Sequence, residues 1–223
     1  MSTYGLILLA SISIPFLASF HPKIKFYKNF KQVLITSVIT GIPFLIWDSL
    51  FSKNKIWEFN SQKVSHIFIA GMPIEELLFF LVIPFCCLLI YEIIQKFIID
   101  KKIIIADRVF NFIALACVLM AILFRQQTYT VVLFIWLSLT LLLIQNFKEK
   151  ILSSQNYWLW IAICYLPFLI VNGLLTGIPV VIYQAQQIWG IRIFNIPLED
   201  FFYNWSLLSL NLAIYKILKK SKS

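Results

Sequence analysis

Apolar residues fill this chain in long runs, separated by short polar stretches. A helix that crosses a hydrocarbon core needs about 20 mostly apolar residues. Scanning for such runs gives seven candidate spans, at 4–20, 33–51, 74–94, 109–124, 128–144, 158–183 and 198–218, of which the fourth is the shortest. Most of the intervening loops are too short to hold a soluble domain. The pattern therefore predicts an all-α integral membrane protein whose spans each satisfy their own backbone hydrogen bonds.

Composition agrees. Of 223 residues, 61% are hydrophobic and 13% charged, against roughly 25% charged in a soluble domain, which excludes a soluble globular fold. Cys86, Cys87, Cys117 and Cys164 all fall inside apolar runs without paired CxxC spacing. Neither a disulfide framework nor a metal site is expected. The N-terminus lacks a basic stretch, so the first run reads as a retained span and not a cleaved signal.

Lys and Arg number 19 against 10 Asp and Glu, a net charge of +9. Such an excess suits either nucleic acid or membrane topology. Seven spans put alternate loops on opposite sides, and 14 of the cations then share one face, in 23–31, 96–108, 148–150 and 216–222. The other face has Lys53, Lys55, Lys63, Arg125 and Arg192. By the positive-inside rule the first face is cytoplasmic. The expected topology is a multi-pass protein of the plasma or inner membrane, N-terminus outside and C-terminus cytoplasmic, with the lipid bilayer and not nucleic acid as its partner. Six of the acids, Asp48, Glu58, Glu75, Glu76, Glu199 and Asp200, fall on the outer side.

The chain also matches itself. Thr-Gly-Ile-Pro-Phe-Leu-Ile-Trp at 40–47 shares five of eight positions with Thr-Gly-Ile-Pro-Val-Val-Ile-Tyr at 176–183. Pro73-Ile74-Glu75-Glu76 corresponds to Pro197-Leu198-Glu199-Asp200, and Ile90-Tyr91 to Ile214-Tyr215. The expected architecture is two parallel three-helix repeats, 1–96 and 128–223, joined by a linker helix in 97–127. Parallel repeats of this kind are related by a pseudo-twofold axis along the membrane normal. In this alignment Trp47 pairs with Tyr183, and Asp48 with Gln184.

Asp48 sits within an apolar run, where a charge costs roughly 3 kcal/mol. Glu75 and Glu76 follow Pro73 at a helix start, a position that also suits ordinary capping. Carboxyls crowded together away from water favour the protonated form, which would make the group a proton donor. Phe79 and Phe80 lie one turn deeper. In the second copy Glu199 stands above Tyr203, with Phe201 and Phe202 beside it. Acids above aromatic faces suit carbocation chemistry, in which the acid protonates an alkene and the rings stabilise the cation. Phenylalanine also simply fills core and lipid-facing positions. Pro43, Pro84 and Pro179 each leave the carbonyl four residues earlier unbonded, at Ile39, Phe80 and Leu175, and kink their helices. Arg192 is placed to pair with Glu199 or Asp200, or serves topology alone. Asn172, in the sixth span, is expected to bond another helix.

Trp47-Asp48, Trp57-x-Phe59-Asn60, Pro73-Ile74-Glu75-Glu76-x-x-Phe79-Phe80, and Gly190-Ile191-Arg192-Ile193 with Pro197-Leu198-Glu199-Asp200 together resemble the non-flavin membrane lycopene cyclases. The resemblance covers nearly the whole chain. It implies cyclisation of the acyclic ends of lycopene, through γ-carotene, to β-carotene. No cofactor is implied, since no electrons move and no GxGxxG fingerprint is present. On this reading Glu75 or Glu76 is the acid, its partner or Asp48 takes the proton back, and Trp47, Phe79 and Phe80 stabilise the cation. Glu199, Asp200, Tyr183, Phe201, Phe202, Tyr203 and Arg192 serve the second copy. Partners would be the carotenoid itself, and either a second copy of the chain or other enzymes of carotenoid synthesis. The competing readings are a small transporter with the same three-plus-one-plus-three plan, and a cyclase or hydratase of another isoprenoid.

Overall fold

A computed structural model describes residues 1–147 and 150–220. Lys148, Glu149 and Lys222 of the charge assignment lie outside the described residues. About 71% of the described residues are helical, in three short 3-10 turns and seven α-helices: α1 (Thr3–Ala18), α2 (Phe30–Lys53), α3 (Ile74–Phe97), α4 (Asp107–Leu123), α5 (Thr128–Gln145), α6 (Gln155–Gly177) and α7 (Leu198–Lys220). Each overlaps one apolar run.

Four of them are long and apolar enough to cross a membrane: α2 with the 3-10 turn that leads into it, α3, α5 and α6. The other three fall short for different reasons. α1 has 16 residues and α4 has 17, below the usual spanning length. α7 has 23, and what it lacks is greasiness. It packs against α2, α3, α5 and α6, and Asn204, Ser206, Ser209 and Asn211 on it are all buried. A helix enclosed by other helices meets little lipid, and its small polar residues bond its neighbours instead. Tyr157 on α6 and Ser209 on α7 do so at 2.8 Å.

The sixth run, 158–183, is not one helix. α6 ends at Gly177, and Val181–Tyr183 form a strand, β4, paired antiparallel with β1 (Trp57–Phe59). The Val180 N–H donates to the Leu175 carbonyl at 2.8 Å. Pro179 therefore follows the helix in a turn and kinks nothing, whereas Pro43 and Pro84 do lie inside α2 and α3. Thr40–Trp47 stays helical throughout, so its match to 176–183 is a likeness of sequence that the two segments do not share in conformation.

Two hairpins complete this end of the bundle: β2 (Phe68–Ile69) with β3 (Met72–Pro73), and β5 (Arg192–Ile193) with β6 (Ile196–Pro197). The first turns through Ala70 and Gly71, both at positive φ (53° and 82°), as a two-residue primed turn requires. α3 and α7 start directly after β3 and β6. The Ile74 N–H donates to the Ile67 carbonyl at 2.9 Å, and the Leu198 N–H to Ile191 at 2.9 Å, so both helix starts are set against their hairpins in one way.

The packing pairs run α1 on α3, α5 on α7, α2 on α7 and α3 on α6, with α4 against α5 at the edge. Trp160 of α6 is wholly buried and its indole N–H donates to the Cys87 carbonyl of α3 at 2.6 Å. α2 and α3 meet at Gly41, where an added Cβ would stand 3.2 Å from the Phe80 Cβ. Small residues at such crossings let helix backbones approach. Gly41→Leu should therefore force α2 and α3 apart and cost about 1–3 kcal/mol, read as a lower thermal unfolding midpoint in detergent than that of Gly41→Ala.

Candidate active site

The two acid pairs divide their labour by helical position, since neighbours on a helix point about 100° apart. Glu75 turns back onto the loop before its helix. It accepts from the Ser65 N–H at 2.7 Å, from the Ser65 hydroxyl at 2.9 Å, and from the Ser2 hydroxyl. Glu199 repeats this: it accepts from the Trp189 N–H and from the Thr130 hydroxyl, the latter at 2.6 Å. Both carboxyls are buried and hold loop backbone against a helix start.

Glu76 and Asp200 face inward, onto a single cavity of about 570 Å³. The Tyr4 hydroxyl, from the first turn of α1, donates to Glu76 at 2.8 Å. The Tyr129 hydroxyl, from the first turn of α5, donates to Asp200 at 2.7 Å. Asp48 joins Glu76 from α2, within hydrogen-bonding reach of it. In the register set by Pro73 and Pro197 the residue matching Asp48 is Asn172, and its amide donates to Asp200 at 2.8 Å. The Tyr183 hydroxyl adds a third bond to Asp200, at 2.9 Å. Tyr203 crosses over from α7 and donates to Asp48 at 3.2 Å.

The cavity thus holds two unlike acid groups. Asp200 is ringed by three neutral donors. Asp48 and Glu76 form a carboxyl pair, each with one tyrosine hydroxyl. Around them the walls are apolar or aromatic, with Trp57, Phe59, Phe79, Phe168, Tyr183 and Tyr203 in the lining.

Of the residues picked out in the sequence, the cavity brings together Asp48, Glu76, Asp200, Phe79, Tyr183 and Tyr203. Glu75 and Glu199 sit behind it. Trp47 and Phe80 are buried in an adjoining aromatic cluster with Phe44 and Trp136. Phe201 packs on Tyr165 and Phe168, and Phe202 on Phe134. Arg192 does not pair with Glu199 or Asp200. It donates to the Asn195 carbonyl at 2.8 Å, with its guanidinium carbon 5.9 Å from the centre of the Tyr183 ring. The short β5–β6 turn holds it at its own rim. Asn172 makes the expected interhelical bond. Tyr4 and Tyr129 were missed, although a tyrosine in the first turn of the first and fifth spans was itself a repeated signal.

The fold is that of an apolar helical bundle with helices able to cross a membrane, and its cavity gathers three carboxyls, tyrosine hydroxyls and aromatic rings. The lycopene cyclase family model matches the chain over residues 1–94 and 126–218, and the chain belongs to that family. No curated protein and no solved structure matches it.

The geometry predicts unequal stability effects for the two acids of one pair. Glu75→Ala takes the acceptor from the half-buried Ser65 N–H and hydroxyl and should cost about 1–3 kcal/mol. Glu76→Gln keeps an acceptor for Tyr4 and should leave the thermal midpoint near that of the parent protein.

Proposed function

We propose that this chain is a lycopene cyclase that closes β-rings on the two ends of lycopene by acid–base isomerisation, with the Asp48–Glu76 pair carrying the proton. The observation that carries the reading is that pair. Two carboxyls in hydrogen-bonding contact away from water hold a proton between them, because two adjacent anions would repel at close range. The pair donates that proton to the terminal double bond of the substrate, leaving a tertiary carbocation. The next double bond attacks it, a carbon–carbon bond closes the ring, and the positive charge moves into the ring. Loss of a ring proton to the same pair forms the new double bond and restores the acid. Atoms and electrons balance without a cofactor, as expected of an intramolecular lyase of the isomerase class.

The surrounding residues suit these steps. Phe79, Tyr203 and Tyr183 offer ring faces to a cation, an attraction of about 2 kcal/mol or more when desolvated. Asp200, bonded by Tyr129, Tyr183 and Asn172, is a fixed carboxyl opposite the pair. The apolar walls keep water from capturing the cation.

The same reading includes the architecture: two parallel three-helix copies, 1–96 and 128–223, about a linker in 97–127. The two stretches of the family match, the repeated loop-to-carboxyl bonds and the β1–β4 pairing support it. In that pairing Trp57 lies opposite Tyr183 and Phe59 opposite Val181, a register that a twofold axis through the Glu58–Ile182 pair preserves. The acids stand at the end of the bundle that the charge pattern assigns to the outside.

Expression in a lycopene-accumulating host, with pigment analysis, tests the function. The chain should convert lycopene to β-carotene. Glu76→Gln and Asp48→Asn should each lower conversion about 100-fold or more, the usual range for loss of a general acid or base. Normal β-carotene from both variants would overturn the assignment. Asp200→Asn should depress both ring closures equally, since one cavity contains all three carboxyls; accumulation of γ-carotene alone would instead separate the copies.

A further inference from the structure

The cavity is closed on one side of the bundle and open on the other. On the closed side, Trp47 and Phe51 of α2 meet Tyr129 and Trp136 of α5. Ring centres lie 6.2 Å apart for Trp47–Trp136 and 6.0 Å apart for Phe51–Tyr129. On the other side α1 faces α6. In the register of Pro73 and Pro197, the counterparts of Trp47 and Phe51 there are Val171 and Leu175. In the register of Tyr4 and Tyr129, the counterpart of Trp136 is Ser11. Three large side chains are thus replaced by smaller ones, and Ser11, Val171 and Leu175 all line the cavity.

The rim on this side is made of lipid-facing residues. Leu6 and Ala10 of α1 and Ile170 and Leu174 of α6 line the same cavity as the carboxyls, yet Leu6 is 53% exposed, Ile170 65% and Leu174 40%. A residue that borders an interior cavity and is also half exposed marks a mouth. All four are apolar, so the mouth opens onto hydrocarbon.

We infer that one end of a long, linear, bilayer-dissolved polyene enters sideways between α1 and α6, and that this mouth serves both ends in turn. The inference rests on the proposed cyclase function for the identity of its occupant. A cavity of about 570 Å³ lies within the usual range for a drug-sized ligand, which suits one end of such a molecule, with the remainder left in the lipid. With a single mouth, the half-cyclised molecule withdraws and returns other end first. The Trp47–Trp136 contact denies it a second way in.

The test fills the mouth as the other side is filled. Ala10→Trp and Leu174→Trp should each lower β-carotene formation at least tenfold in the lycopene-accumulating host. They should equally lower lycopene retained by the purified protein, at an unchanged thermal midpoint. Leu119→Trp on α4 and Leu139→Trp on α5, both lipid-facing elsewhere, should do neither. Labelled γ-carotene added to membranes during turnover should appear in β-carotene. Rim variants that bind and cyclise like the parent would overturn the inference, as would exclusion of added γ-carotene from the product. If the parent binds lycopene without cyclising it and the rim variants lose binding, the mouth stands and the cyclase reading falls. If the parent neither binds nor cyclises lycopene, both fall.

Discussion

Carboxyl groups buried in a bundle of apolar helices must find hydrogen bonds inside the protein, because no water is there to supply them. That constraint organises the acid end of this molecule. Glu75 and Glu199 each accept a backbone N–H from the loop that precedes their helix and at least one hydroxyl, and in accepting the backbone bonds they fix where α3 and α7 begin. Once those helix starts are set, Glu76 and Asp200 are carried inward, one residue on. Tyr4 and Tyr129 must then reach them from α1 and α5, which fixes the depth of two more helices. The hairpins at 68–73 and 192–197 and the β1–β4 pairing cap the same end, giving the loop backbone partners that the helices cannot provide.

The two halves of the site differ where a single atom type changes. Asn172 in place of an acid converts a carboxyl pair into a carboxyl with an amide donor, and an amide cannot share a proton with Asp200. On the proposed mechanism only the first half has a second carboxyl with which to share the proton. The aromatic side chains follow the same division. They crowd the α2–α5 side, where Trp47 packs edge to face on Phe51 and Trp136, and Phe44 on Trp136, and they thin out on the α1–α6 side. The two groups of acids are therefore unlike in their surroundings although the starts of α3 and α7 are built alike.

Much of this was legible in the sequence, and the failures are physical. Seven apolar runs gave seven helices, because a run of that length has few alternatives in lipid. The Pro-x-Glu-Glu and Pro-x-Glu-Asp motifs marked both helix starts. The shared Thr-Gly-Ile-Pro segment misled, because conformation there is decided by how far along its helix the segment falls. In α2 it comes mid-helix; in α6 it comes where the chain has reached the end of the bundle and β4 must leave to pair with β1. Pairing Trp47 with Tyr183 on that likeness hid the register of Pro73 and Pro197, in which Asp48 corresponds to Asn172. The strands, two or three residues each, are too short to show any period. Which acid of each pair faces inward depends on the rotation of α3 and α7, which packing sets and local sequence does not. α7 is the converse case: its Asn and Ser residues weaken the spanning signal because other helices surround it.

The position of the acids also separates the competing readings. A carrier that alternates between two sides needs polar groups near the middle of its path, reachable from both faces. Here the three carboxyls lie together near one end, and the far end is pinned by Lys219 on Glu92 at 2.6 Å, with the Tyr215 hydroxyl on the same carboxyl at 3.0 Å. An isomerisation has the opposite requirement. The proton that starts ring closure is returned when the ring loses one, so the pair needs no route to water on either side and is better without one, since water would quench the cation. A carboxyl pair bonded by tyrosine hydroxyls in an otherwise apolar cavity suits the proposed isomerisation better than it suits transport.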